Sequence, residues 1–162
     1  MSEHHITIQQ KREIIRRAHG RCEYCKNQLR FTNQAFSIEH IIPKNQDGQS
    51  TPDNLALSCQ SCNNHKYTKT TGLDPITGEE APLFNPHQQR WDDHFAWNDD
   101  CTLIIGLTPT GHATVETLKL NKPGLVNGYD YPDVHAIAQS EPYPSTMGSL
   151  ALLCCFYNSR YD

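Results

Sequence analysis

One stretch of the chain, residues 22–66, carries the pattern that decides the fold. It reads CEYCKNQLRFTNQAFSIEHIIPKNQDGQSTPDNLALSCQSCNNHK. Two Cys-x2-Cys pairs frame it, Cys22 with Cys25 and Cys59 with Cys62, and 33 residues separate the pairs. A two-residue spacing lets a tight turn place both thiolates on one ion, and two such turns complete a tetrahedral Zn²⁺ shell. The pattern therefore predicts a structural zinc site made of four cysteines.

Paired cysteines have two other uses, a redox motif and disulfide bonds. A redox Cys-x2-Cys is expected once, within a βαβ pattern, whereas this chain has the spacing twice. Disulfides are rare in the cytoplasm, the compartment we expect because the N-terminus lacks the charged start and apolar run of a secretion signal. Zinc is therefore the preferred interpretation. The remaining cysteines, Cys101, Cys154 and Cys155, have no partner at ligand spacing, and we assign them no role.

The residues around the cysteine pairs predict short helices and one strand. Residues 35–42 are rich in β-branched and aromatic side chains and stop at Pro43, which suits a strand. Residues 43–53 are dense in turn formers and predict a loop. A helix is predicted near residues 60–67. Another, amphipathic helix is predicted over residues 8–18, with Thr7 as its N-cap.

The second half of the chain is less regular. Residues 102–107 and 113–118 are β-prone runs joined by a Gly-containing segment, which predicts a β-hairpin. Residues 74–98 are predicted to be rich in loops. Proline and glycine punctuate residues 122–162, and we predict an irregular or disordered tail there. The predicted class is α+β, with one domain over residues 1–121.

Composition and charge narrow the class of protein. Hydrophobic residues make up 36% and charged residues 20% of the chain, which is typical of a globular domain. The longest apolar run, residues 150–157, is far shorter than the roughly 20 residues of a membrane helix, so we expect no membrane association. Net charge is −4, yet residues 1–72 carry ten Lys/Arg against six Asp/Glu. This basic excess suits a surface that faces phosphates, although an ordinary solvated basic surface explains it equally well.

Several residues inside the cysteine pairs resemble the HNH nuclease family. They are Glu39 followed by His40 on the predicted strand, Asn54 after the loop, and Asn63 directly after the last cysteine. The resemblance covers about residues 20–70, the expected core. It implies a ββα-metal fold of the HNH or His-Me finger type. It also implies metal-dependent hydrolysis of phosphodiester bonds in DNA, with a 5′-phosphate product.

The residues themselves support roles in such a reaction. His40 is the expected general base, because an imidazole with a pKa near 6.5 accepts a proton from water at neutral pH. Glu39 supplies a carboxylate for a catalytic Mg²⁺ or Mn²⁺. Side chains alternate along a strand, so a twist or bend must bring both residues to one phosphate. By resemblance, Asn63 is the second ligand of that metal. His65 is a rival, but it lies about 200° around the helix from Asn63, and we prefer Asn63.

The remaining assignments rest more heavily on the resemblance. Asn54 would orient the His40 imidazole through a hydrogen bond, although turn chemistry after Asp53 explains an Asn there equally well. Lys66 and Lys69 are predicted phosphate contacts, and simple solvent exposure is the alternative for both.

The resemblance extends more loosely to about residue 121. Relatives often carry an Arg where this chain has His87 and His112, so a phosphate contact by these two histidines is not assigned. His94 is interpreted as a packed histidine beside Trp91 and Phe95. The sequence from about residue 126 departs from the family.

The sequence therefore predicts an endonuclease whose partner is DNA. The competing hypothesis is a zinc-ribbon module that binds nucleic acid without catalysis. That module would explain the cysteines and the basic first half, but it would not explain Glu39, His40, Asn54 and Asn63. The sequence leaves the oligomeric state and the DNA sequence preference open.

Overall fold

The computed structural model describes residues 6–29, 35–99 and 101–121. The mixture of helices and strands in these ranges agrees with the predicted α+β class, and the predicted tail over residues 122–162 lies outside them. None of the helices described is long and apolar enough to cross a bilayer. The helices are α1 (Ile8–Arg17), α2 (Gln60–Lys66), α3 (Trp91–His94) and α4 (Pro109–Leu118), and the strands are β1 (Phe36–His40), β2 (Leu55–Cys59), β3 (Thr71–Leu73), β4 (Glu80–Pro82), β5 (Phe95–Trp97) and β6 (Ile104–Gly106).

Helix α1 begins where the sequence predicts. The Thr7 hydroxyl accepts a hydrogen bond from the Gln10 backbone N–H at 3.2 Å, and the Gln10 side chain accepts one from the Thr7 N–H at 2.9 Å. This capping box satisfies two backbone donors that the first turn leaves free. Ile14 is the buried residue of α1, and it packs against Leu55 and Leu57 of β2. The helix thereby packs against β2, one strand of the hairpin described next.

Strands β1 and β2 form an antiparallel hairpin that leads directly into α2. Phe36 pairs with Cys59 at one end of the hairpin, and His40 pairs with Leu55 at the other. Every residue of β2 is buried. Cys59 is both the last residue of β2 and the N-cap of α2, so no loop separates strand from helix. Helix α2 packs against both strands, which brings its side chains close to the end of β1.

The predicted hairpin of residues 102–107 with residues 113–118 is wrong. Strand β6 pairs with β5 instead, and residues 109–118 form α4. The Thr108 hydroxyl accepts a hydrogen bond from the Gly111 N–H in the first turn of α4. Pro109 is the first residue of that helix. A Thr cap followed by Pro favours the start of a helix. The local preferences of residues 113–118 favour a strand. Burial of Ala113, Thr114 and Leu118 on α4 stabilises the helical conformation more than those preferences oppose it.

The segment of residues 74–98 holds more regular structure than the loop-rich region that we predicted. It contains β4, α3 and β5. The ring centroid of Trp91 lies 5.2 Å from that of Phe95 and 5.7 Å from that of Trp97. The Trp91 indole N–H donates to the Tyr24 carbonyl oxygen at 2.9 Å. These elements are too short for their hydrophobic period to be recognised. Phe95 nevertheless belongs to the core cluster that contains the four cysteines, and Trp91 and Trp97 pack against that cluster.

Candidate metal centre and active site

The four predicted zinc ligands come together in the core. Their sulfur atoms all lie within 4.8 Å of one another, and all four residues are buried. The sulfurs of Cys25 and Cys59 are 3.8 Å apart. A tetrahedral Zn²⁺ with Zn–S distances of about 2.3 Å requires sulfur atoms about 3.8 Å apart. The cysteine cluster, formed by Cys22, Cys25, Cys59 and Cys62, therefore fits one zinc ion.

The chemistry of the cysteine cluster also suits a cation. Hydrogen bonds from the thiols of Cys22, Cys25 and Cys62 lower the pKa of Cys59. The Cys62 backbone N–H adds a further hydrogen bond to the Cys59 sulfur at 3.5 Å. A buried thiolate surrounded by three further sulfur atoms is stabilised by a nearby positive charge, and a divalent metal ion would supply that charge. The disulfide alternative receives no support, because none of these four cysteines forms a disulfide bond within the described residues.

A groove beside the cysteine cluster brings together three of the predicted catalytic residues, Glu39, His40 and Asn63. Its volume is about 600 Å³. Glu39 and His40 are the last two residues of β1, and both line this groove although side chains alternate along a strand. The groove is lined by Glu39, His40, Pro43, Lys44, Asn63, Asn64, Tyr67 and Thr68.

Glu39 is held at the bottom of this groove by two buried partners. The Tyr24 hydroxyl donates a hydrogen bond to one carboxylate oxygen, and the Lys66 ammonium lies 3.1 Å from the other. Burial raises the pKa of Glu39, while Lys66 and Tyr24 act in the opposite direction. Lys66 also donates to the His40 carbonyl oxygen at 3.0 Å. The main chain at His40 and the carboxylate of Glu39 are thus fixed by the same ammonium group.

The burial of Lys66 corrects one sequence-based expectation. We predicted an exposed lysine that contacts phosphate, but Lys66 is 1% exposed and is paired with Glu39. A lysine is buried only when its charge is compensated, and the partner here is a carboxylate that the sequence places 27 residues away. Lys69 is exposed, as predicted, and donates to the His65 carbonyl oxygen at 3.0 Å. Of the two lysines, only Lys69 is available to a phosphate.

His40 is half-buried at the wall of the groove, and its Nε2 lies 2.9 Å from the Ser50 hydroxyl. Burial lowers the pKa of His40, and the positive charges of Lys44 and Lys66 add to this effect. The neutral imidazole, which is the form that accepts a proton, is therefore favoured at neutral pH. Sequence reasoning missed Ser50, because a serine in a loop rich in turn formers gives no sign that it meets a histidine ten residues away.

Replacement of Ser50 by alanine tests whether this contact orients the imidazole. We expect the cleavage rate at saturating DNA to fall roughly two- to tenfold, the worth of one hydrogen bond. Thr51→Ala is the matched control, because Thr51 is the next residue and its side chain is exposed. An unchanged rate for Ser50→Ala, or an equal loss in both variants, would argue against an orienting role.

The side chain of Asn54 binds the loop and not the His40 ring. Its amide nitrogen donates to the carbonyl oxygens of Ile42 at 2.9 Å and Gln49 at 2.8 Å, and its oxygen accepts from the Ile42 N–H at 2.8 Å. The predicted hydrogen bond from Asn54 to the imidazole is therefore replaced by an indirect link. Asn54 fixes Gln49, and the next residue, Ser50, contacts His40.

The change Asn54→Asp tests this link with almost no change in shape. An aspartate keeps the acceptor for Ile42 but loses both donated hydrogen bonds and places a carboxylate beside two carbonyl oxygens. We expect the free energy of unfolding to fall by about 2 kcal/mol, together with a loss of cleavage. Asn45→Asp, an exposed position in the same loop, adds the same charge and should change neither urea midpoint nor rate. Equal urea midpoints and equal cleavage rates for the two variants would show that the hydrogen bonds of Asn54 support neither the stability nor the reaction.

Asn63 and His65 take different positions on α2. Asn63 lines the groove with Glu39 and His40, whereas His65 is absent from its described lining. The His65 ring is instead turned toward the helix backbone, where Nδ1 lies 2.7 Å from the Ser61 carbonyl oxygen. This arrangement favours Asn63 over His65 as the second metal ligand.

Three other histidines are engaged outside the groove. His87 contacts the Asp53 carbonyl oxygen at 2.8 Å and the Glu23 carboxylate at 3.1 Å. His94 lies 2.6 Å from the Thr108 hydroxyl, and its ring packs against the edge of an aromatic neighbour. His112 lies 3.2 Å from the buried carboxylate of Asp74. These contacts connect elements of the fold, in agreement with the packing role predicted for His94.

Comparisons with known proteins indicate the same family as the residues of this site. Residues 22–69 match the family model of the HNH endonucleases, which confirms the resemblance predicted from the sequence over that segment. A curated relative, Septu protein PtuB of Bacillus thuringiensis, is 25% identical over 114 residues, or 69% of this chain. The matched part spans only 41% of that relative. No solved structure matches the chain.

Proposed function

We propose that this protein is an HNH endonuclease that hydrolyses phosphodiester bonds in DNA with the help of a divalent metal ion. The observation that carries the proposal is the single groove that holds Glu39, His40 and Asn63. All three lie within the segment that matches the HNH family. They are supplied by β1 and by α2, which follows β2, and this order of elements supports a ββα-metal architecture for the core.

His40 is the general base of the proposed reaction. It is half-buried, and its lowered pKa keeps the ring neutral at neutral pH, so a ring nitrogen accepts a proton from the attacking water. The oxygen of that water attacks phosphorus while the bond to the 3′ oxygen breaks. The products are a 5′-phosphate and a 3′-hydroxyl.

Glu39 and Asn63 are the residues that would hold the catalytic metal. A carboxylate and an amide oxygen suit Mg²⁺ or Mn²⁺ better than softer ions. A carboxylate has about four lone-pair sites, and Tyr24 and Lys66 use two of those on Glu39, so capacity remains for a cation. When bound, the ion would stabilise negative charge on the leaving 3′ oxygen. Because Lys66 places a positive charge beside the same carboxylate, we expect tight binding of the ion to require the substrate phosphate as well.

Exposed lysines at the groove supply the positive charge that a nucleic-acid backbone requires. Lys44 lines the groove, and Lys69 lies just beyond the end of α2. Both are exposed, so both are free to approach phosphate oxygens. Lys66 has no part in this surface because its ammonium is buried.

Cleavage of supercoiled plasmid by the zinc-loaded protein tests the proposed function. With Mg²⁺ or Mn²⁺ we expect nicked or linear products, and without an added divalent ion we expect none. Zinc content is measured on the same sample, so that loss of the structural ion is not mistaken for lack of the catalytic one. Binding of DNA without cleavage, by protein that retains zinc, would instead support the non-catalytic zinc-ribbon module.

A further inference from the structure

The rim of the groove carries an aromatic side chain that the proposed reaction does not use. Tyr67 is 75% exposed, although it follows α2 directly and lines the groove together with Glu39, His40 and Asn63. A tyrosine ring offers a large, flat and largely apolar face with a polar hydroxyl at its end, which suits contact with a ligand. The ring therefore stands beside the reacting groups with its surface available to a ligand.

The backbone at Tyr67 is strained. Its φ of 48° and ψ of −118°, with the Lys69 N–H donating to the Lys66 carbonyl oxygen at 2.9 Å, are those of the first central position of a type II′ turn. Glycine dominates that position because a Cβ is unfavourable there. A tyrosine at a position that favours glycine points to a role for the side chain itself.

The turn at Tyr67 is held firmly in place. The Gln46 side chain donates to the Thr68 carbonyl oxygen at 3.0 Å and accepts from the Thr70 hydroxyl at 3.2 Å. The Tyr67 N–H donates to the Asn63 carbonyl oxygen at 2.8 Å. These contacts tie the turn to the loop that follows β1 and to α2. The ring is consequently presented from a fixed backbone, which lowers the entropy cost of binding a flat partner.

Resting on the proposed nuclease function, we propose that Tyr67 stacks against an unpaired nucleobase next to the scissile phosphate. A base within a continuous duplex has both faces covered by its neighbours, whereas an unpaired base offers a face to an aromatic ring. Lys44, which also lines the groove, supplies charge for the adjoining phosphate. The substrate class is therefore single-stranded DNA or DNA with locally unpaired bases, in preference to uniform duplex.

Three substitutions of Tyr67 distinguish the effect of base stacking by the ring from the effect of strain in the backbone. Tyr67→Phe keeps the ring, Tyr67→Leu keeps an apolar side chain and the strained backbone, and Tyr67→Gly removes both ring and strain. We expect Tyr67→Gly to raise Tm by roughly 2 to 6 °C, so weaker function in this variant cannot reflect a damaged fold. The probe is a single-stranded oligonucleotide with one 2-aminopurine, a base whose fluorescence is quenched by stacking. All proteins also carry His40→Ala, so the oligonucleotide stays intact.

We expect quenching and tight binding with Tyr67 or Phe, within about twofold of each other. Affinity should fall roughly tenfold with Leu or Gly, since one stacked base contributes that much. Binding of a matched duplex should change less than twofold.

Equal affinity of the Gly and Tyr proteins for the single strand, equal losses on both DNAs, or no quenching by the Tyr protein would each overturn the proposal. Because this assay does not use cleavage, it is independent of the plasmid test. Plasmid cleavage that persists while quenching is absent would leave the nuclease proposal intact.

Discussion

Replacement of His40 by alanine is expected to reduce metal-dependent plasmid cleavage by roughly a hundredfold to ten-thousandfold, the usual contribution of a general base. Alanine cannot accept the proton of the attacking water, and the structure offers no second imidazole among the described residues that line the groove. The zinc content and the affinity for DNA should stay close to those of the unchanged protein, because the His40 side chain is not a member of the cysteine cluster. Loss of cleavage with unchanged zinc content and unchanged DNA affinity would show that the protein is a nuclease and not a module that only binds DNA.

The matched control for His40→Ala is His19→Ala. His19 is an exposed histidine that follows α1 and is not part of the groove lining. Rates are measured from the loss of supercoiled plasmid with Mg²⁺ and with Mn²⁺, on samples of equal zinc content and equal melting temperature. Cleavage by His40→Ala at the rate of the control would mean that another group removes the proton, and the proposed mechanism would have to be abandoned.

Loss of the structural zinc is the second change with a large expected effect. Cys59→Ser should abolish stoichiometric zinc binding and unfold the domain at room temperature. Structural zinc sites in small peptides are worth about 10–16 kcal/mol, while whole domains have a net stability of about 5–15 kcal/mol. The cysteine cluster also belongs to the main core, so removal of the ion would leave sulfur charges among apolar residues.

The loss of zinc should also disrupt the proposed catalytic site. Tyr24, which fixes Glu39, lies between two of the cysteines, and Asn63 directly follows a third. A zinc-specific chelator should therefore abolish cleavage in a way that added Mg²⁺ does not reverse and added Zn²⁺ does.

The experiment combines a zinc assay with circular dichroism and thermal melting. Cys101→Ala is the control, because Cys101 is a buried cysteine outside the cluster and should leave the zinc stoichiometry at one. If Cys59→Ser keeps both its zinc and its melting temperature, the four cysteines do not form the predicted site.

The sequence by itself determined the features that depend on residues near one another along the chain. The spacing of Cys22 and Cys25 and of Cys59 and Cys62 predicted their convergence, because a two-residue turn fixes the distance between its sulfurs. The Thr7 cap, with the periodic apolar residues after it, predicted α1 for the same local reason. The order of the residues from Glu39 to Asn63 predicted the resemblance to the HNH family, whose model matches residues 22–69.

Only the tertiary structure decided which polar groups meet across the fold. Lys66 forms an ion pair with Glu39, Asn54 binds the loop that carries Ser50, and the ring of Tyr67 projects from a strained turn. In each case the sequence shows a residue type whose ordinary explanation is solvent exposure or a turn. The pairing depends on how α2 packs against β1, and no local pattern encodes the distance between them.

The same distinction explains the segment over which the prediction was wrong. Residues 113–118 contain β-branched side chains that favour a strand locally. In the folded chain they lie on α4, because a Thr108–Pro109 helix start and the burial of Ala113, Thr114 and Leu118 outweigh that preference. Local propensities differ by only about 1 kcal/mol, and burial of a single apolar side chain contributes more than that. Sequence spacing therefore predicted the cysteine cluster and the proposed reaction class, whereas the energetics of packing decided the shape of the groove and the partners of its charges.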